Sequence, residues 1–527
     1  MNIWLSLNKA LTLFSHREAL VDGNKRFTYG EFGQRVANLA LSFTNLGLKE
    51  GSVVAISSPN GHEFMETYYA CAIAGIVLSP LNFRLSVPEL SAILADSEAS
   101  VLISHIDFAA DAQKIINNCP KINHLIWIGD GAGADTPIPS YQFEEFAGNG
   151  TGQMPALPNL HSNDLAHLYY TSGTTGRPKG VMLTHGNVTF NALGAIAELG
   201  LSDADAWLHV APLFHLADAW ATFAITWVGG KHVFLPQFQS APTLSTIELE
   251  KVSITVLVPT MLNALLNDPL VRDFDYSHLR ALITGGSPIA PETVRRISST
   301  FGCEYIQLYG MTETSPWLTI SKPTTSLKQL SEEKLLEIRS RTGRPYIGAE
   351  VKVVCNDGTE VQKDNREVGE IIARGPTITP GYWKQPEATA ETIKDGWIYT
   401  GDLAVVDKDG YINIVDRKKD MIITGGENVY STEVEYVLYE HPGVHECAVM
   451  GVPDPFWGEA VKAVIVQRPG YSLTEEELVE FAQERLARYK VPRSIDFLTE
   501  LPKTGSGKIY KKGLREQFWQ HREQKVN

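Results

Sequence analysis

The sequence predicts an α/β protein: a large N-terminal domain of two α/β subdomains plus a small β-rich section, followed by a small α+β C-terminal domain. Three observations carry that reading. At 527 residues the chain exceeds the size at which one hydrophobic core keeps growing. Amphipathic helical stretches alternate with short β-branched runs through most of it. After Gly343 the texture changes to short strands separated by Asp-Gly turns, and after Asp416 it changes again.

In chain order, helical periodicity over 29–46 and 63–74 alternates with strand-like runs over 53–57 and 101–104, the grammar of a parallel sheet. The same grammar returns as a strand over 255–258, a helix over 259–266, a strand over 281–284 and a helix over 291–301. Hairpin chemistry then appears at Asp357-Gly358, Asp395-Gly396 and Asp409-Gly410. A basic run, Arg417-Lys418-Lys419, precedes a helix over 431–440, strands over 446–451 and 461–467 and a helix over 474–486. Those elements suffice for a separate domain, so the division is drawn as 1–416 and 417–527.

Composition narrows the function classes. Hydrophobic residues make up 43% and charged residues 20%, as in a folded globular chain. The net charge of −15 disfavours a general attraction to nucleic acid or anionic lipid, so an anionic ligand must be held by local chemistry. Cys71, Cys119, Cys303, Cys355 and Cys447 are scattered, with no C-x-x-C pair, which suggests neither a disulfide framework nor a zinc cluster. No uncharged apolar run approaches the roughly 18 residues of a membrane span, and a cytoplasmic location is expected.

The run from Tyr170 to Gly180 concentrates four Ser/Thr hydroxyls, three glycines and two cations behind a predicted strand over 165–170. Glycines let backbone N–H groups approach phosphate oxygens, hydroxyls donate further hydrogen bonds, and Lys179 offers charge. A polar surface loop is the ordinary reading of such a run, and the preceding strand weighs against it. The pattern is not a Walker A loop, because Pro178 stands where glycine is required and Gly180 follows the lysine.

This loop resembles the signature of the adenylate-forming superfamily, which comprises acyl-CoA synthetases, peptide-synthetase adenylation domains and firefly-type luciferases. Later motifs occur in order from Pro212-Leu213-Phe214-His215 to Gly505-Ser506-Gly507-Lys508, most similar to bacterial medium- and long-chain fatty-acid–CoA ligases. The resemblance implies an ATP/AMP site of Thr171, Ser172, Gly173, Thr174, Thr175, Gly176, Lys179, Gly286, Ser287, Gln307, Tyr309, Gly310, Met311, Thr312, Glu313, Asp402, Arg417 and Lys508. In this scheme Glu313 and Thr171 ligate Mg2+ through oxygen, Asp402 accepts from the ribose hydroxyls with Arg417 assisting, and Lys508 reaches the α-phosphate. The implied catalytic set is Lys508, Glu313, Thr171 and His215. His215, Trp220, Gly285, Gly310 and Trp317 are expected around the acyl group, and Gly425, Gly426 and Glu427 along a tunnel for coenzyme A. The C-terminal domain is expected to be mobile, turning about Lys419.

The activity implied by this resemblance is that of a two-step ligase. A carboxylic acid attacks the α-phosphorus of ATP, releasing pyrophosphate, and the CoA thiol then displaces AMP from the acyl adenylate. Acetate-using relatives carry tryptophan at the position of Gly310, so glycine points to a longer acyl group. A medium- or long-chain fatty acid is the first expectation, from the run 309–316; an aryl or phenylpropenoic acid (benzoate-, coumarate- or ferulate-like) is the runner-up. Luciferase activity is disfavoured by the ending Lys525-Val526-Asn527, which is not a peroxisomal tripeptide. No acidic residue for an amino group is evident, against a peptide-synthetase role. A non-catalytic nucleotide- or CoA-binding paralogue is opposed by Glu313, Asp402, Arg417 and Lys508 standing intact. The expected partners are the acid, ATP and CoA, with no nucleic acid and no membrane span; a homodimer stays open.

Overall fold

The helix–strand alternation of the first 350 residues builds two sheets with helices on both faces of each. The computed structural model describes residues 1–131, 133, 136–171, 178–286, 289, 291–503 and 509–519. The chain divides into two compact units: Met1–Glu350 with Ala373–Ile398, and Val351–Ile372 with Tyr399–Asn527.

In the first unit, one sheet has the order Ser140–Gln142, His124–Ile128, Val101–His105, Val53–Ser57, Val77–Pro80, Leu165–Thr171, Lys179–Thr184. Its strands run parallel except for the last pair, which is antiparallel. The other runs Arg344–Pro345, Trp317–Ile320, Glu304–Gly310, Ala281–Gly285, Ile254–Val256, Ala206–His209, Lys231–Phe234, Glu18–Asp22, Lys25–Thr28. It is parallel from Glu18–Asp22 to Glu304–Gly310, with antiparallel additions at both ends.

Alternation along the strands explains the layers. Val54 and Ile56 of the first sheet and Ile254, Ile283 and Ile306 of the second share one core with helices Tyr29–Asn45, His62–Ala74, His185–Leu199 and Leu216–Val228. Their neighbours Val53 and Ala55 face Leu90, Ile93 and Ile115, while Leu282 and Tyr305 face Leu262, Val294 and Ile297. Strands buried on both faces need continuous β-branched runs, which is the pattern the sequence carries.

One chain of buried polar groups inside that core is paired. Asp218 accepts from Trp207 Nε1 at 2.8 Å and lies 3.0 Å from His209 Nδ1. His209 Nε2 meets His232 Nδ1 at 2.9 Å, and His232 Nε2 meets Thr226 Oγ1 at 3.0 Å. The chain of bonds ties the first and last turns of helix Leu216–Val228, through Asp218 and Thr226, to strands Ala206–His209 and Lys231–Phe234.

In the second unit, Gly458–Gln467 pairs with Val444–Asp454 and Ser494–Leu498, and at its start with Ile422–Thr424. Cys447, Val449, Ala463 and Ile465 pack with Val434, Leu438 and Leu478 of the helices on one face. Ala448, Met450, Val464 and Val466 pack with Leu514 on the other. Residues 351–372 and 399–417 form sheet strands of this unit. The boundary drawn from the sequence at 416–417 falls within it, because Val415 O accepts from Thr432 Oγ1 and Asp416 accepts from Ser431 N and Oγ.

The Asp395-Gly396 turn pairs Lys394 with Trp397, both turn residues having positive φ (51° and 79°) as a tight hairpin demands. All five cysteines are free. Among the described residues no helix is long and apolar enough to cross a membrane.

At the N-terminus of helix His62–Ala74 the buried His62 faces three carboxylates. Its Nδ1 is 2.8 Å from Asp22 and 3.2 Å from Glu63, and its Nε2 is 3.6 Å from Glu144. Burial opposes the imidazolium, but the Asp22 hydrogen bond and the surrounding carboxylates outweigh it and raise the pKa to about 10. The folded value lies above the unfolded one, so this stabilisation is whole below pH about 6.5 and is lost as pH rises through about 10. Urea unfolding of the wild type against His62→Gln is expected to show a stability difference that shrinks across that window, by at most about 1.4 kcal/mol per pH unit. A difference that is constant with pH excludes the buried imidazolium.

Candidate active site

The phosphate-type loop closes a hairpin. Thr171 and Lys179 are paired across strands Leu165–Thr171 and Lys179–Thr184, as are Tyr170 and Gly180. Ser172, Gly173, Thr174, Thr175 and Gly176 lie outside the described residues. At Gly180 a Cβ would lie 3.0 Å from the Tyr170 ring, a tight contact that glycine avoids. The Tyr170 hydroxyl donates to Asp96 Oδ2 at 2.6 Å.

The segment 379–383 flanks this hairpin on its other side. Met182 N donates to Gly381 O at 3.1 Å and Trp383 N to Gly180 O at 2.7 Å, and Val181 bridges Tyr382. Gly381 holds φ +141°, where a Cβ would strike Thr389 Cγ2 at 2.5 Å. The Thr379 hydroxyl donates to Met182 O at 2.6 Å, and Thr379 N donates to Glu313 O at 2.8 Å.

Glu313 lies in the short 3-10 turn Thr312–Thr314, directly beyond strand Glu304–Gly310. It is only 6% exposed, and its Oε1 accepts from the Tyr382 hydroxyl at 2.9 Å. The Lys179 ammonium stands 4.7 Å above the centroid of the same Tyr382 ring. Burial, and then the Glu313 charge, push the Tyr382 hydroxyl up from its ordinary value, so it stays a donor. A buried carboxylate and the hydroxyl of Thr171 are oxygen donors of the kind a hard divalent cation takes.

Tyr309, Gly310, Met311 and Thr312 follow one another from the strand's end into that turn. The Thr314 hydroxyl accepts from Met311 N and donates to Pro316 O. Gln307 is buried, and its backbone N donates to Ser321 Oγ at 2.7 Å. Gly285 ends the adjacent parallel strand, with Leu308 O 3.0 Å from where a Cβ would stand, and Gly286 takes φ +86°. Ser287 is outside the described residues. These positions share the carboxyl ends of neighbouring parallel strands, where ligands of open α/β sheets bind.

Gly310 has a steric reason of its own. At the bulge between Tyr309 and Gly310, a Cβ on residue 310 would lie 1.6 Å from Pro316 O.

His215 caps helix Leu216–Val228, its Nδ1 accepting from Ala217 N at 3.1 Å, which leaves the neutral ring's proton on Nε2. Trp220 and Trp317 are core residues here: their rings pack edge to face at 4.4 Å, with Trp207 and Tyr346 extending the series at 4.9 and 5.1 Å.

In the second unit, Asp402 and Arg417 are paired across strands Trp397–Val406 and Ile412–Arg417, with Asp402 Oδ1 3.2 Å from Arg417 Nε. Asp402 is buried and the arginine half-exposed. Lys419 is exposed, yet desolvation by its surroundings, and then the Arg417 charge, lower its ammonium pKa. Arg515 donates to Lys419 O and to Asp420 Oδ1, both at 3.0 Å. Gly425 and Gly426, with φ +60° and +84°, form the two-residue turn that pairs Thr424 with the exposed Glu427. A Cβ on Gly425 would meet the Trp457 ring at 2.6 Å, while Gly426 has nothing within 4 Å. Lys508 lies outside the described residues.

Three residues of these sites, Tyr382, Thr379 and Lys511, belong to none of the motifs that mark the sequence. Lys511 Nζ contacts Glu435 at 2.6 Å and Ser431 Oγ at 2.9 Å, beside Asp416. Burial works against its charge, but the Glu435 and Asp416 carboxylates prevail and raise its pKa. The one local signal for Tyr382 is Gly381-Tyr382-Trp383, a glycine before two aromatics in a turn-rich stretch.

Residues 7–383 match the family model of AMP-binding enzymes, and residues 433–508 match that of the AMP-binding enzyme C-terminal domain. The chain is 41% identical over 504 residues to a feruloyl-CoA synthase of Amycolatopsis sp., covering 95% of this chain and 96% of that one. It is 34% identical over 532 residues to the 4-hydroxybutyrate–CoA ligase 2 of Metallosphaera sedula, covering 97% and 94%. Among solved structures, the anthranilate CoA ligase AuaEII in complex with anthranoyl-AMP is similar with TM-score 0.88 and 28% identity, over 98% of this chain and 97% of that one.

Because Pro316 O occupies the space, Gly310→Ala is expected to force the bulge apart and destabilise the protein by at least about 1–3 kcal/mol, the usual cost of overpacking. Urea denaturation checks this; unchanged stability means that the 309–316 turn relaxes freely.

Proposed function

This chain belongs to the AMP-binding enzyme family and is an ATP-dependent, AMP-forming acid–thiol ligase, and we propose that the acid it activates is aromatic, of the aryl or phenylpropenoic class. The observation that carries the substrate is the 41% identity to a feruloyl-CoA synthase across nearly the whole of both chains. The likeness to an anthranilate CoA ligase supports the same class. This moves the weight from the fatty acid first read from residues 309–316 to the aromatic runner-up. A short hydroxy acid is the second reading, supported by the 34% identity to a 4-hydroxybutyrate–CoA ligase.

ATP, CoA and the acid are the substrates of such a ligase. Carboxylate and triphosphate repel each other, so the first half-reaction needs their charges neutralised before in-line attack at the α-phosphorus. In our reading Lys179 and the loop 172–176 hold the β- and γ-phosphates, and Lys508 bridges the α-phosphate and the incoming carboxylate. Glu313 and Thr171 hold Mg2+, which when bound supplies positive charge to the phosphates. Asp402, steadied by Arg417, accepts from the ribose hydroxyls. His215 borders the acyl group, and Gly425, Gly426 and Glu427 border the pantetheine arm in the second half-reaction, reached by turning about Lys419. A cytoplasmic location belongs to this reading, supported by cysteines scattered without pairs.

AMP release by the full-length protein with MgATP and CoA is the test, across benzoates, phenylpropenoates, short hydroxy acids and straight-chain fatty acids, with a no-CoA control. The expected outcome is a kcat/KM at least roughly tenfold higher for an aromatic acid, about 1.4 kcal/mol in transition-state binding. A fatty or hydroxy acid that leads by that margin replaces the substrate and leaves the chemistry in place.

Lys508→Ala is expected to lower acid-dependent ATP–pyrophosphate exchange by at least roughly a hundredfold, the scale of losing one preorganised charge at the reacting centre. Thioester formation from supplied acyl-AMP should persist. Equal loss of both half-reactions removes Lys508 from its assigned role.

A further inference from the structure

Tyr382 touches two groups of different chemistry at once. Its hydroxyl donates to the buried Glu313 carboxylate at 2.9 Å, and its ring face carries the Lys179 ammonium at 4.7 Å. Its backbone is not free to drift. Tyr382 N donates to Thr389 Oγ1 at 2.9 Å, Val181 bridges it, and the flanking residues bond to Met182 N and Gly180 O. Thr379, three residues earlier, takes hold of the Glu313 backbone carbonyl. One short segment therefore grips the hairpin that carries Lys179 and the turn that carries Glu313.

We propose that Tyr382 is a positioning residue for the adenylation half-reaction: its hydroxyl fixes the Glu313 carboxylate and its ring fixes the Lys179 ammonium, setting both in one register. The inference rests on the reading of Glu313 as a metal-holding carboxylate. A hydrogen bond to a charged, desolvated acceptor is stronger than a neutral one and selects one carboxylate rotamer. A cation over an aromatic face is held without consuming any of its donors, so Lys179 keeps its N–H groups for phosphate oxygens. The pair of contacts is also mutually supportive, since the donor hydroxyl and the cation-binding face belong to one rigid ring.

Tyr382→Phe isolates the hydroxyl, because the ring and its packing remain. In the full-length protein we expect Mn2+ binding in the presence of ATP, read by electron paramagnetic resonance without acid or turnover, to weaken roughly tenfold. ATP–pyrophosphate exchange should fall by roughly ten- to a hundredfold and recover in part at high Mg2+. Thioester formation from supplied acyl-AMP should stay within about twofold, since that step does not use the triphosphate, while the melting temperature should fall, because the buried Glu313 carboxylate loses a donor. Unchanged Mn2+ binding and exchange overturn the inference, as does a parallel loss of both half-reactions, which marks a structural tyrosine. Glu313→Gln separates the premise: if it too retains Mn2+ binding, the assignment of Glu313 fails and the inference with it. Loss in Glu313→Gln with retention in Tyr382→Phe overturns the tyrosine's role alone.

Discussion

A carboxylate taken out of water costs several kcal/mol unless donors replace its hydration, and Glu313, 6% exposed at the end of a parallel strand, meets that constraint inside the first unit. The Tyr382 hydroxyl answers it at one oxygen, and Thr379 N binds the residue's carbonyl. Both donors come from a stretch roughly seventy residues away, held in place by its own pairing with the phosphate hairpin. Solvating one acid therefore dictates how the hairpin, the 3-10 turn and the 379–383 segment are arranged. The same rule shapes the second unit, where Asp416 and Glu435 are compensated by Ser431, Lys511 and Val449 N. It shapes the core as well, where Asp218 is met by Trp207 and His209.

Parallel sheets place such groups where ligands can reach them. Strands Ala281–Gly285 and Glu304–Gly310 run side by side in parallel, Gly285 opposite Leu308, so Gly285, Gly286, Tyr309 and Gly310 all emerge at one sheet end. The hairpin 165–184 is the antiparallel pair that ends the other sheet. An edge hairpin can carry a long glycine- and hydroxyl-rich loop without breaking a central ladder, and its outer edge is covered by 381–383 rather than left bare.

Much of this was legible in the residue order. Helix Pro291–Phe301 and strand Val53–Ser57 begin and end where periodicity and β-branching said they would. The Asp395-Gly396 turn follows from its residues' tolerance of positive φ. Asp402 and Arg417 are linked in the sequence by resemblance alone, and antiparallel pairing sets them face to face. What stayed hidden depends on contacts that no local pattern encodes. Tyr382 looks like any aromatic in a turn until chain folding brings Glu313 to its hydroxyl. Lys511 looks like surface decoration on a basic helix until Glu435 and Asp416 surround it.

A missing side chain can mean room for substrate or room for backbone, and Gly310 shows how the two are told apart. Read as sequence, its lack of a side chain lengthens an acyl pocket. In three dimensions Pro316 O lies 1.6 Å from where a Cβ would stand, so this backbone already accounts for the glycine, and a side chain at 310 needs the 309–316 turn to be rearranged. Trp220 and Trp317 pack their rings on each other and on Trp207 and Tyr346, which accounts for their burial without deciding which acid is bound. Acid preference is a small difference in contact free energy spread over several side chains, a methylene or hydroxyl being worth only about 1–3 kcal/mol in an apolar pocket. Similarity sustained over a whole chain averages over all of them, and for that reason the relatives weigh more on the substrate than Gly310 does.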